Sequence, residues 1–418
     1  MQTALLSSWT LFFGIFLVMA GNGLQGVLLG TRAEQLAFGD IITGIVMSGY
    51  FAGLMLGSLI VPKLVSRVGH IRVFGTLAGL ASSSILVHAL LEYASIWTVM
   101  RLVTGFSYAG MYIVAESWIN DKATNATRGT LLSVYMMVTM SGLVLGQFLL
   151  SLGQEEGVEL FLTVSILVSI AVLPILLTAA KVPDFQEPER VSIYRVYHTS
   201  PLAVIGMAFT GTTAAMIFGM GAVYSTKLGN SLDQTAAFMA AVMIGAMLLQ
   251  YPIGKLSDVL DRRLVILITQ AFAALSALLC FVAEDHQFSL MLVAAGLYGG
   301  ASQPLYSLYI AHANDFLTPR QIVGCSSMLI MINGIGAVFG APLVGVMMSI
   351  FGTGAFFLTI ACMQSMMAIV VMIRMRARQA MPMEAQGSFV AVPNRATQMT
   401  VTLIPDAEWV ENEPAEKT

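Results

Sequence analysis

Residues 250–263 read QYPIGKLSDVLDRR. The run before them, 235–253, is predominantly apolar, and so is the run after them, 264–283. Each is close to the ~20 residues that an α-helix needs to cross a hydrocarbon core. Between them Lys255, Asp258, Asp261, Arg262 and Arg263 crowd into one short connection. A charged turn between two apolar runs is the signature of a membrane hairpin, because only helices satisfy their own backbone groups in lipid.

The same alternation continues outward in both directions. It gives twelve spans at 7–30, 41–61, 73–91, 96–118, 130–151, 160–180, 201–224, 235–253, 264–283, 288–311, 322–350 and 355–374. The chain has 418 residues, 57% of them hydrophobic and only 10% charged, against about 25% charged in an average soluble domain. A soluble globular protein and a disordered one are both excluded. The net charge of −3 gives no basic footprint for nucleic acid. Cys280, Cys325 and Cys362 lie in apolar runs without a CxxC partner, so no metal site and no disulfide is expected. The first span has no Lys or Arg before Arg32 and reads as an uncleaved transmembrane helix.

Positive charge sets the orientation. With the N-terminus in the cytoplasm, seventeen of the 20 Lys and Arg fall in cytoplasmic loops, at the end of the last span or in the tail. Arg32 and Lys227 fall outside, and Arg101 lies within the fourth span. Both termini are therefore expected in the cytoplasm, in the inner (plasma) membrane of the cell. The longest connection, 181–200, divides residues 1–180 from 201–374, and residues 375–418 form a polar tail expected to be disordered. The two parts repeat. Pro62-Lys63-Leu64 aligns with Gly254-Lys255-Leu256 at an offset of 192, and Asn120-Asp121 with Asn314-Asp315 at 194. Gly142 and Gly146 align with Gly336 and Gly340, again at 194. The expected fold is an all-α membrane protein, with twelve transmembrane helices in two pseudo-symmetric six-helix bundles and solute held between them.

At this point the sequence resembles the major facilitator superfamily over about residues 5–375. The family's G-xxx-D-R-x-G-R-R loop is matched by Gly254, Asp258, Arg262 and Arg263. It departs from the pattern at Val259 and Asp261. The first copy, around Arg67 and Arg72, has Ser66 where the key acid is expected. The fourth span looks like the family's R-xxx-G motif, with Arg101 and Gly105. In span five Gln147 replaces the proline usual in drug antiporters. The strings VAESW (114–118), SVYMMVTMSGLVLGQ (133–147) and QYPIGKLSD (250–258) are similar to the poorly characterised YcaD-like branch. The resemblance implies a secondary transporter whose path is lined by spans one, four, seven and ten.

Ionisable groups inside a membrane are costly and mark function by default. Span four has two, Arg101 and Glu116. At about 100° per residue, Arg101, Gly105, Tyr108, Tyr112 and Glu116 fall within roughly 80° of one another. This stripe is expected to face an aqueous cavity. Arg101 would anchor an anionic group, or simply snorkel at the helix end. Glu116 would carry proton coupling, or pair with Arg67 or Arg128 at an inner gate. Span ten repeats the stripe without charge, with Tyr298, Ser302, Tyr306 and Tyr309 beside Gln303. Asn22 and Gln25 in span one and Thr213 in span seven complete the expected path. Arg67, Asp258, Arg262 and Arg263 are expected to gate. Asp258 would cap or pair with the neighbouring helix N-terminus, and the arginines would bridge to acids such as Asp315.

The expected function is secondary active transport of a small polar metabolite, anionic or zwitterionic, by alternating access with proton coupling. The alternative is efflux of amphipathic compounds, and a non-transporting receptor comes third. No cofactor, metal or nucleic acid is expected. The expected partners are the lipid bilayer, a small-molecule substrate and protons, with the chain acting as a monomer. No Walker A loop and no paired catalytic groups at membrane depth are present, so neither an ATP-driven pump nor an enzyme is expected.

Overall fold

A computed structural model of the chain describes residues 9–123, 127–154, 157–176, 191–377, 381–382, 386–392, 397 and 399–400. The first half of the 181–200 connection, residues 181–190, and the tail end 401–418 lie outside the described residues. So do Lys181, Arg190, Arg378, Arg395 and Lys417 of the charge count, and the Arg320 side chain.

Among the described residues, twelve helical passes follow one another. They are α1 (Trp9–Gln35), α2 (Asp40–Val68), α3 (His70–Leu90), α4 (Ala94–Lys122), α5 (Arg128–Leu149) and α6 (Glu159–Leu176) in the first half. The second half has α7 (Pro201–Lys227), α8 (Leu232–Val259), α9 (Arg262–Ala283), α10, α11 (Pro319–Phe351) and α12 (Ala355–Ala377). α10 comes in two segments, Phe288–Ser302 and Pro304–Asn314, and a short helix, Ile193–Thr199, precedes α7. Among the described residues, ten helices are long and apolar enough to cross a membrane. The other two passes are α4, which carries the polar stripe, and α10, whose segments of 15 and 11 residues are each too short alone. Pro304 has no N–H to donate to the preceding turn, which breaks α10 beside Gln303.

Helices run further than hydropathy marks them. α8 continues through Gly254, Lys255 and Asp258 to Val259, and α9 begins at Arg262. The charged connection therefore shrinks to Leu260 and Asp261. Apolarity reports the hydrocarbon core, and the helices continue into the polar interface. Asp261 caps α9 by accepting the Arg263 N–H at 2.9 Å. The cap expected of Asp258 is supplied by Asp261 instead. On the repeat-related turn, Gly69 at φ +92° joins α2 to α3 in a single residue.

Small residues set how closely the helices approach. A Cβ added to Gly105 would lie 1.9 Å from the Tyr50 carbonyl, and one on Gly299 would lie 2.0 Å from that of Val242. The α4–α2 and α10–α8 seams are thus the same seam in the two halves. Gly142 and Gly146 seat α5 on α1, and Gly336 and Gly340 seat α11 on α7 in the same way.

Contact between the halves is made by α1 with α7, α2 with α11, and α5 with α8. It is tight on the face opposite the basic loops. A Cβ on Gly44 would meet the Ala341 carbonyl at 2.7 Å, and one on Gly345 the Asp40 carbonyl at 2.5 Å. Lys227 Nζ adds an ion pair across the halves, 2.8 Å from Asp40 and 4.0 Å from Glu34. The molecule is therefore closed on that face.

The basic face is bridged differently. The tail, expected to be disordered, has described residues buried against both halves: Val392, Thr397, Met399 and Thr400. Polar composition suggested disorder, but the polar atoms of this segment find buried partners in the bundles.

Candidate functional site

A cavity of about 1050 Å³, counting its open mouth, lies between the halves. Its wall comes from α1, α2, α4, α5, α7, α8, α10 and α11, with Thr397 of the tail. Among the described lining residues none is charged. Met19, Met55, Met140, Met243 and Met331 line it together with Phe51 and Phe218. Ser58, Thr139, Gln303, Tyr306, Asn333 and Thr397 supply its polar groups. A smaller pocket beside it is lined by Thr210, Thr213, Ser302, Gln303, Tyr306 and Asn333. The break in α10 puts Gln303 in both walls. The Tyr306 hydroxyl has no hydrogen-bond partner among the described residues. Asn333 Nδ2 donates to the Met207 carbonyl at 3.0 Å and to Thr210 Oγ1 at 3.1 Å, which fixes its amide at the wall. An apolar chamber with a few placed polar groups suits a ligand with an apolar body and a small number of hydrogen-bonding groups.

The stripe on α4 does not line this chamber; Ala109 of the same helix does. Arg101 is buried with its guanidinium carbon 4.6 Å from the Tyr50 ring centroid, on α2. Tyr108 packs edge-on to Tyr50 at 6.2 Å. Asn22 Nδ2 donates to the hydroxyl oxygens of Tyr50, at 2.8 Å, and of Tyr112. Arg101, Tyr108, Tyr112 and Asn22 thus form a polar seam inside the first bundle. Gln25 is fully buried with neither end of its amide bonded among the described residues. Of the expected path residues, Thr213, Gln303 and Tyr306 come together at the cavities. Tyr298 is buried against Phe357, with ring centroids 6.0 Å apart. Tyr309 donates to Gln270 Oε1 at 3.2 Å.

Glu116 lies at the basic end of α4, one residue behind the cavity wall. The Tyr135 hydroxyl of α5 donates to its Oε1 at 3.0 Å. The Thr397 N–H donates at 3.3 and 3.2 Å to the two carboxyl oxygens, and the Thr397 hydroxyl donates to Oε2. These donors are neutral, and neither Arg67 nor Arg128 is among them. Arg67 is exposed at the end of α2 and makes no ion pair among the described residues. Sequence reasoning found Glu116 but missed Thr397, because nothing in a polar tail marks one threonine out.

The arginines of the quoted stretch pair within the second half. Arg262 is buried. It donates to Asp315 Oδ1, to the Ala311 carbonyl at 3.1 Å, to Ser257 Oγ at 3.0 Å and to the Gly387 carbonyl at 2.6 Å. Asp258 is 4.0 Å from Arg262. Burial pushes the Asp315 carboxyl above its ordinary range, and the Arg262 guanidinium offsets only part of that. Burial acts the same way on Asp261, but the hydrogen bonds from the Arg263 side chain and N–H outweigh it and hold Asp261 low.

The sequence profile described as Major Facilitator Superfamily matches residues 11–223 and 202–398. An uncharacterised MFS-type transporter of Enterobacter sp. (strain 638) is 29% identical over 322 residues, covering 76% of this chain and 82% of that one. An uncharacterised MFS-type transporter of Escherichia coli, YcaD, is 25% identical over 353 residues, covering 84% and 91%. Among solved structures, a variant of the nucleoside transporter NupG superposes with a TM-score of 0.75 at 15% identity, covering 88% of this chain and 99% of that one.

Proposed function

The chain belongs to the major facilitator superfamily and is a multi-pass membrane transporter rather than an enzyme; from that premise we propose that it carries a small amphipathic solute by alternating access, driven by protons. One observation carries the choice of solute: the chamber between the halves is apolar, methionine-rich and free of charged lining among the described residues. Methionine is soft and unbranched, and it adapts to ligands of varied shape. Gln303, Tyr306 and Asn333 orient a few polar groups of the solute. An anionic metabolite, which rested on Arg101, loses its support because Arg101 sits against Tyr50 inside the first bundle.

The two bundles rock about the contacts of α1 with α7 and α2 with α11. In the state described, the face opposite the basic loops is shut. The asymmetry of positive charge supports placing the basic face and both termini in the cytoplasm, so this state faces inward in the inner membrane. Glu116 takes up and releases the driving proton. Its burial among neutral donors, with Thr397 between it and the chamber, supports that role.

A thermal-shift screen of the purified protein tests the solute class, since a ligand that binds only the folded state raises its apparent stability. Neutral or weakly basic amphipathic compounds are expected to stabilise the protein, and Asn333→Ala is expected to weaken the effect. Stabilisation confined to small carboxylates and phosphates would reverse the assignment.

A further inference from the structure

The stretch 250–263 holds the chain's own tail. Phe389 packs its ring over Gly254, where an added Cβ would lie 2.4 Å from the ring. The Phe389 N–H donates to Asp258 Oδ1 at 2.7 Å. Arg262 donates to the Gly387 carbonyl, and the Gly387 N–H donates to Asp315 Oδ1 at 3.1 Å. Further along, Ser307 of α10 exchanges hydrogen bonds with the Val392 backbone at 3.0 and 3.1 Å. Thr397 then reaches the first half and gives both its N–H and its hydroxyl to Glu116. Val392, Thr397 and Met399 are each at most 5% exposed, and Thr397 forms part of the chamber wall.

We infer that the basic-face vestibule is a peptide-binding site whose occupant is this chain's own tail, seated through its described residues 386–392, 397 and 399–400, which competes with solute for the chamber. Backbone hydrogen bonds to Asp258, Asp315 and Ser307 anchor the segment on the second half. Thr397 carries it across to Glu116, to which it gives its N–H and its hydroxyl. A tethered segment acts at an effective concentration on the order of millimolar, so even weak intrinsic binding keeps the site filled. While seated, it narrows the way into the chamber from the basic face, and it occupies the carboxylate proposed to couple protons. The effect on transport rests on the proposed function; the occupancy of the vestibule does not.

The test uses the full chain in nanodiscs, with its three cysteines replaced by serine, Ser58→Cys introduced in the chamber wall, and a specific protease site inserted after Ala385. A membrane-impermeant maleimide reports access to Cys at position 58. Cleaving the folded protein and washing away the tail is expected to speed labelling roughly tenfold, as for a site that is open only about a tenth of the time. Adding back a peptide of residues 386–418 is expected to slow it again. In uncleaved protein, Gly254→Leu, which fills the seat of the Phe389 ring, is expected to speed labelling as cleavage does. Labelling unchanged by cleavage, or a rise that the peptide does not reverse, overturns the inference. Neither result needs a solute, so both leave the transporter reading standing.

Discussion

Arg101 and Glu116 lie on one helical stripe and were read together, yet they have separate surroundings. Fifteen residues of helix put them about 22 Å apart. Arg101 stacks on Tyr50 of α2, whereas Glu116 meets Tyr135 of α5 and Thr397. Helical periodicity reveals that residues share a face but not which neighbour the face meets, and the contact of Arg101 with Tyr50 was not legible from it. Arg101→Lys is expected to lower the melting temperature, because a cation–π contact of this kind contributes about 0.5–2 kcal/mol, and to leave solute affinity unchanged. A loss of affinity at constant melting temperature would return Arg101 to the solute path. Glu116→Gln in proteoliposomes is expected to abolish accumulation driven by a pH gradient while sparing solute exchange. Gradient-driven accumulation at the normal rate in that variant would remove Glu116 from coupling.

At the scale of elements, the glycine spacing was the most legible part of the sequence. Gly105 and Gly299, related by the repeat, each face a neighbouring backbone at a distance that no side chain fits. Gly105→Val or Gly299→Val is expected to cost about 1–3 kcal/mol or more through overpacking, read as a lower melting temperature or lost expression. Gly334, beside the chamber, has open space where a Cβ would go. Gly334→Ala is expected to leave the melting temperature within a degree or two of the parent, since substitutions away from such contacts usually stay within about ±0.5 kcal/mol. Equal damage at all three positions would contradict this account of the seams. The sequence reading drew span ten unbroken over 288–311 and passed over the break that Pro304 makes. The placement of Gln303 in two cavity walls was not legible either, because it depends on how α10 is set against α7 and α11.

For the whole molecule, twelve passes and two halves followed from apolarity and repetition, both of which are periodic signals. Which face is closed, and what spans the open one, did not. Those depend on pairs far apart in sequence, such as Lys227 with Asp40 and Thr397 with Glu116. The Lys227–Asp40 pair has side chains 23% and 8% exposed, and a partly exposed ion pair contributes up to about 1 kcal/mol. Asp40→Asn is expected to raise labelling of a Met47→Cys variant from the closed face by up to about fivefold. No change would show that backbone packing at Gly44 and Gly345 closes that face without help from the ion pair.

The central claim is that the apolar chamber carries an amphipathic solute in exchange for proton movement. The direct measurement is solute accumulation in proteoliposomes across an imposed pH gradient, using amphipathic compounds from the stabilising set and small carboxylates in parallel. The account predicts saturable, gradient-dependent movement of the amphipathic compounds that is lost in Glu116→Gln. Amphipathic compounds moving no faster than in protein-free liposomes, while a carboxylate is accumulated, would contradict it.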